Sequence, residues 1–165
     1  MVRFMRSTSC GFNDTAGTKG ADLLILAGPT LVVDIGFDAN YVPTGAADVP
    51  NLAMKGVHAL VDTGATQSCI DAQLAIALGL PIVDQVQIAG VSGKQTVNMH
   101  LAQIHVPSLP HTIYGSFAAV DLAAGGQSHS ALIGRTFLKP FKMEYDGTTG
   151  EVLIYEPTIP LPLVP

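Results

Sequence analysis

The apolar positions of this chain fall mostly in short runs of strand length, punctuated by glycine and proline. DLLILAGPTLVVDIGF (22–37) predicts two strands divided by Gly28-Pro29, because a turn-forming pair closes each run before it reaches ordinary helical length. A loop-like NYVPTGAADVPN follows, and MKGVHALVD then predicts a strand that ends on Asp62. SCIDAQLAIALGLP breaks the strand rhythm. Asp71 can cap a helix over 72–78, Leu74 and Leu78 share one face, Gly79 suits the C-terminal end and Pro81 stops continuation.

IVDQVQIAGVSGKQTVNMHLAQIHVP predicts a long hairpin, with Gly90 and Gly93 bracketing its tip. HTIYGSFAAVDL is a further strand, and ALIGRTFLKPF brings an apolar run to Gly134 and then a short helical turn. KMEYDGTTGEVLIY is a hairpin turning on Asp146-Gly147 and Gly150. The pattern is mainly β, with one short helix. It lacks the crossover helices of a parallel α/β fold, so a closed or folded mixed sheet is expected. Residues 1–21, rich in Gly, Ser and Thr without periodicity, read as a flexible leader, 22–156 as one domain, and 157–165 as a proline-rich tail.

Composition narrows the function classes. At 165 residues the chain suits one domain with a real core. A formal charge of −5 and eight scattered Lys and Arg argue against nucleic acid as a partner. No apolar run reaches transmembrane length, and the start lacks the apolar core of a secretory signal. With no disulfide pattern from Cys10 and Cys69, a cytoplasmic location is expected. Only 13% of residues are charged, which is thin cover for a surface and suits a chain with a partner interface. The five histidines, at 58, 100, 105, 111 and 129, are dispersed and form no metal motif. No metal or cofactor is expected.

The chemistry concentrates at ALVDTGAT. Alone, Asp-Thr-Gly is satisfied by a turn, since Asp accepts backbone hydrogen bonds and Gly tolerates unusual φ. Here it is followed by the glycine-tipped hairpin and then, about seventy residues on, by ALIGR. In that order these features resemble the retroviral-type (retropepsin-like) aspartic proteases, including their cellular and bacterial members, over residues 22–156. The resemblance implies a closed β fold with a flap, and a homodimeric endopeptidase acting on an extended polypeptide. Each subunit would contribute one Asp62 carboxyl. Thr63 would hydrogen-bond across the two-fold axis, Gly64 would allow close approach, and Ala65 would line the channel. Gly90, Val91, Ser92 and Gly93 would form the flap tip. Leu132, Ile133, Gly134 and Arg135 would form the second glycine signature, with Arg135 matching an arginine that makes an ion pair beside the site.

Two departures bear on this. Thr66 and Gln67 stand where the retroviral pattern supplies an acid, so Arg135 lacks an evident partner. Asp34, in VVDIG, also follows apolar residues, but it lies too close in sequence to Asp62 to belong to a second lobe and lacks a following Thr. It is expected to be a strand-end or interface residue. Cys69 is expected to be a buried thiol and His58 a surface or core residue. A noncatalytic retropepsin-like dimerisation or peptide-binding module, and a monomeric β-rich binding domain, are the competing readings.

Overall fold

The computed structural model describes residues 6–43, 48–90 and 93–157. The chain runs β1 (Ser7–Ser9), α1 (Gly20–Ala27), β2 (Thr30–Gly36), β3 (Met54–Val61), β4 (Cys69–Asp71), α2 (Ala72–Ala77), β5 (Ile82–Gly90), β6 (Gly93–Val106), β7 (His111–Val120), β8 (Ala131–Ile133), α3 (Arg135–Leu138), β9 (Lys142–Asp146) and β10 (Glu151–Tyr155). Among the described residues the strands form two sheets. One has the order β1-β10-β9 and the other β2-β3-β8-β4-β7-β6-β5. β2 also pairs with β6, Asp34 opposite His105, so the run of pairings in the larger sheet comes back to its first strand.

Strand β6 makes this possible by its length of 14 residues. Its first part pairs with β5, from Gly90↔Gly93 to Ile82↔His100. Pairing with β7 begins at Met99↔Ala118 and runs to Val106↔His111. Among the described residues, 94–98 of β6 are therefore paired only with β5, and the far half of the hairpin is a two-stranded ribbon. Apolar residues from both sheets fill the core, among them Leu31, Ile35, Ile70, Ile104, Ile133 and Ile154, each almost fully buried. Each such side chain contributes roughly 1.5–3 kcal/mol on leaving water.

Two expectations from sequence are corrected. DLLILA is helical, not a strand, and α1 begins inside the segment read as leader. A run of apolar residues without polar interruption does not distinguish a strand from a short helix. Leu and Ala rather than β-branched residues dominate this one, which favours helix. Leu24 anchors the helix in the core, Gly20 N–H bonds Asp14 Oδ1 at 2.8 Å, and Gly28 closes it with φ +69° and an N–H bond to the Leu24 carbonyl. The leader is also not a loose arm throughout. Ser7, Thr8 and Ser9 pair with Tyr155, Ile154 and Leu153 of β10. Cys10 is 1% exposed, and its N–H bonds the Val152 carbonyl at 2.9 Å.

Helix α2 forms where expected. Asp71 Oδ2 accepts the N–H groups of Gln73 and Leu74, at 3.1 and 3.2 Å. Its Oδ1 accepts those of Leu122 and Ala123, both at 3.0 Å, so the cap also ties down the end of β7. The buried histidines have ordinary structural partners. His100 Nδ1 donates to the Leu80 carbonyl, His105 pairs with the Thr112 hydroxyl, and His129 Nε2 meets the Thr30 hydroxyl.

Candidate active site

Parallel pairing of β3 with β8 builds the site. Ala59, Leu60 and Val61 lie opposite Ala131, Leu132 and Ile133. The next residue continues the ladder, with Asp62 N–H bonded to the Ile133 carbonyl at 2.9 Å. On the other side, Val61 N–H bonds the Pro29 carbonyl at 2.8 Å. Both flanks of the strand end are thus fixed before the chain turns.

The turn then orients the acid. Ala65 N–H bonds the Asp62 carbonyl at 3.2 Å, and Gly64 N–H bonds Asp62 Oδ1 at 2.8 Å. Asp62 is partly buried, whereas Thr63 and Gly64 are exposed. This loop therefore carries one carboxyl, held by the Gly64 N–H beside two exposed residues.

The ALIGR segment braces this loop from the opposite side. Arg135 N–H bonds the Ala65 carbonyl at 2.9 Å, and Thr136 N–H bonds that of Thr66 at 3.0 Å. Gly134 N–H donates to the Ser68 hydroxyl at 3.1 Å. The two backbones pass so closely that a Cβ on Gly134 would lie 2.6 Å from the carbonyl carbon and oxygen of Gln67. Leu132 is half-buried and Ile133 fully buried behind the loop.

Arg135 has partners that the sequence did not reveal. Its Nη1 donates to the carbonyls of Thr63 and Gly64, at 2.7 and 2.9 Å, and Nη2 to the Thr66 hydroxyl at 2.9 Å. The guanidinium supplies a rigid fork of donors, here spread across two carbonyl oxygens and one hydroxyl of the loop instead of a carboxylate. Thr66 takes part as acceptor in the place where an acid was missed. Ser68 was also not singled out from sequence, because a hydroxyl bound to a distant backbone N–H leaves no local pattern.

Asp34 is not part of this arrangement. It is mid-strand in β2, 9% exposed, and accepts the Gly56 N–H at 2.9 Å with Lys55 Nζ 3.4 Å away. His58 is exposed on β3, and its carbonyl accepts the Ser130 N–H. Gly90 and Gly93 pair at the end of the hairpin, Gly93 with φ +106°. Val91 and Ser92 lie outside the described residues. A groove of about 340 Å³ begins at Gln67 and Ser68 and runs between Ile113, Tyr114, Phe117 and Thr136, all uncharged.

Both cysteines are thiols, and both are buried. Burial pushes Cys69 up to about 11, with the nearby Asp62 and Asp71 charges adding to it against a backbone hydrogen bond. Burial likewise pushes Cys10 up to about 12. Only a thiolate is a competent nucleophile. We therefore expect neither thiol of the folded protein to react with a thiol reagent at pH 8, and both to react in denaturant. Rapid labelling of Cys69 without unfolding would contradict the buried placement of β4.

Among the described residues no cluster of three His, Cys, Asp or Glu could hold a metal, and no helix is long and apolar enough to cross a membrane. Residues 51–140 match the protein family described as "gag-polyprotein putative aspartyl protease". That span contains the Asp62 loop, the β5–β6 hairpin and the Gly134–Arg135 brace. Among solved structures the chain is similar to EIAV protease complexed with the inhibitor HBY-793, at 17% identity, a TM-score of 0.43, and coverage of 77% of this chain and 91% of that one. No curated protein matches.

Proposed function

The chain belongs to the family of gag-polyprotein aspartyl proteases, and on that premise we propose that it is an aspartic endopeptidase whose active site forms when two copies bring their Asp62 carboxyls together. The observation that carries this reading is the single presented acid. Asp62 is oriented at the rim of each chain, while Asp34, the other candidate, is buried in a strand beside Lys55. The second carboxyl must then come from a second copy, and a two-fold arrangement supplies an identical one.

Two carboxyls at close range do not both ionise cheaply, so they share a proton. The ionised one takes a proton from a water that attacks the peptide carbonyl. The protonated one hydrogen-bonds to the carbonyl oxygen and then protonates the departing nitrogen. Exposed Thr63 would bond across the axis, and Gly64 would keep Asp62 Oδ1 in position through the N–H bond it makes in the single chain. The arginine fork holds the Thr63 and Gly64 carbonyls, fixing the loop that the partner's loop would meet. Gly90, Val91, Ser92 and Gly93 would cover an extended peptide, and Ala65 and Leu132 would line its channel. The uncharged groove at Gln67 favours apolar or neutral side chains at the outer subsites. Within this reading the larger sheet, returning from β6 to β2, is the closed β fold of the retropepsin type, and the catalytic domain is centred on residues 22–156.

The test is cleavage of a diverse peptide pool across pH, run beside sedimentation over the same concentration range. We expect specific activity to rise with the dimer fraction. Cleavage by a species that sediments only as monomer would reject the shared site. A stable dimer that cleaves nothing would instead support a noncatalytic dimerisation or peptide-binding module.

A further inference from the structure

A second groove lies where the described chain ends. It has a volume of about 270 Å³, and Arg6, Tyr41, Pro110, His111 and Tyr114 are among its walls. Tyr41 and Tyr114 meet edge to face with ring centroids 6.2 Å apart, and Tyr114 is 59% exposed. Paired tyrosine rings beside proline are the walls that extended proline-rich peptides use, since the rings offer flat apolar surface and hydroxyls for backbone carbonyls.

The chain itself delivers such a segment to this place. Glu156 N–H bonds the Arg6 carbonyl at 3.0 Å, and the Glu156 carboxylate pairs with the Arg6 guanidinium. Arg6 Nη1 in turn donates to the Pro110 carbonyl at 3.1 Å. The residue that begins the tail is therefore fastened to a wall of the groove. From Pro157 the sequence reads PTIPLPLVP, with prolines at 157 and 160 and again at 162 and 165. Both pairs have the i, i+3 spacing that puts prolines on one edge of a polyproline helix, which has three residues per turn. The eight residues after Pro157 reach about 25 Å in that form, enough to cross the groove.

We propose that the groove walled on one side by the touching rings of Tyr41 and Tyr114 is the docking site of the chain's own segment 158–165. Polyproline backbone makes no internal hydrogen bonds, so docking costs little conformational entropy. Tethering at Glu156 makes the event intramolecular, with a high effective concentration. Tyr114 also lines the groove that begins at Gln67, so the docked segment and an outer part of a bound peptide would share one wall.

The experiment uses full-length chains carrying Asp62→Asn to prevent self-cleavage, and a fluorescent peptide of sequence PTIPLPLVP. The peptide is titrated into the otherwise unaltered chain, into Pro160→Ala/Pro162→Ala, and into that same double variant with Tyr114→Ser. We expect the double variant to bind the peptide at least tenfold more tightly than the unaltered chain, because its own tail no longer competes, and Tyr114→Ser to reverse the gain. Equal binding by the first two would mean that the groove stands open to proline-rich segments from other molecules, and would overturn self-docking. Binding to neither, or binding indifferent to Tyr114→Ser, would overturn the groove assignment. None of these outcomes depends on peptidase activity, so the inference fails or stands apart from the proposed function.

Discussion

Asp62→Asn is expected to lower kcat/KM for peptide cleavage by at least about a thousand-fold, within the range general acid–base catalysis supplies. The reasoning is local. Asparagine has the same shape and retains an oxygen that accepts the Gly64 N–H now bonded to Oδ1. The turn, the β3–β8 ladder and the arginine brace have no cause to move. On the proposed mechanism, what would be lost is the group that takes a proton from water, and in a symmetric pair one substitution would remove both copies of it. Sedimentation and thermal unfolding should therefore match the parent while cleavage disappears. Mixing parent with an excess of the Asn chain should suppress the parent's activity as subunits exchange, because each mixed pair holds only one carboxyl. Undiminished cleavage by the variant would reject Asp62 as the acid. Loss of association along with activity would mean that the carboxylate itself joins the chains.

A large loss of stability is expected from Gly134→Ala. Gly134 has φ −89° and ψ −177°, a conformation open to any residue, so backbone freedom is not the issue. Space is. The added methyl would sit 2.6 Å from two backbone atoms of Gln67 and 3.0 Å from Ser68 N. Backbone atoms cannot swing aside as a side-chain tip does. The two chains must separate, which stretches the Arg135–Ala65 and Thr136–Thr66 hydrogen bonds and the contact of Gly134 N–H with Ser68. We expect a cost of about 2–4 kcal/mol, in the upper range of overpacking effects, read as a lower denaturant midpoint with an unchanged slope. Gly17→Ala, where an added Cβ meets nothing within 4 Å, should stay within about 0.5 kcal/mol of the parent. An unchanged midpoint for Gly134→Ala would show that the crossing is looser than described.

The elements around Asp62 were legible because their causes are local. A strand ending in Asp-Thr-Gly, a cap at Asp71 and glycines bracketing a hairpin each leave a mark within a few residues. α1 was misread because, after Asp22, LLILA carries no polar position to reveal its period. What decides its state is the packing of Leu24 and the closure at Gly28, both tertiary. Cys10 was assigned to an open leader because its neighbours are polar. Its burial depends on β10, more than 140 residues away in sequence. Arg135 lies against the loop, whereas the expected partner was a charge. The oxygens it binds are mostly carbonyls, which every residue carries and no sequence pattern displays. The double duty of Asp71, capping one helix and anchoring residues 122 and 123, was hidden for the same reason.

The pairing of β6 has a mechanical consequence. Past Met99 toward its glycine end the hairpin is, among the described residues, a strip two strands wide, while behind Met99 the same strand is built into the sheet by β7 and then by β2. It behaves as a beam clamped at one end. Bending is therefore expected near the clamp, where the β5–β6 register also shifts between Ile82 and Asp84. A change at Asp84 or Met99 would alter the stiffness of the whole arm without touching the residues at its tip.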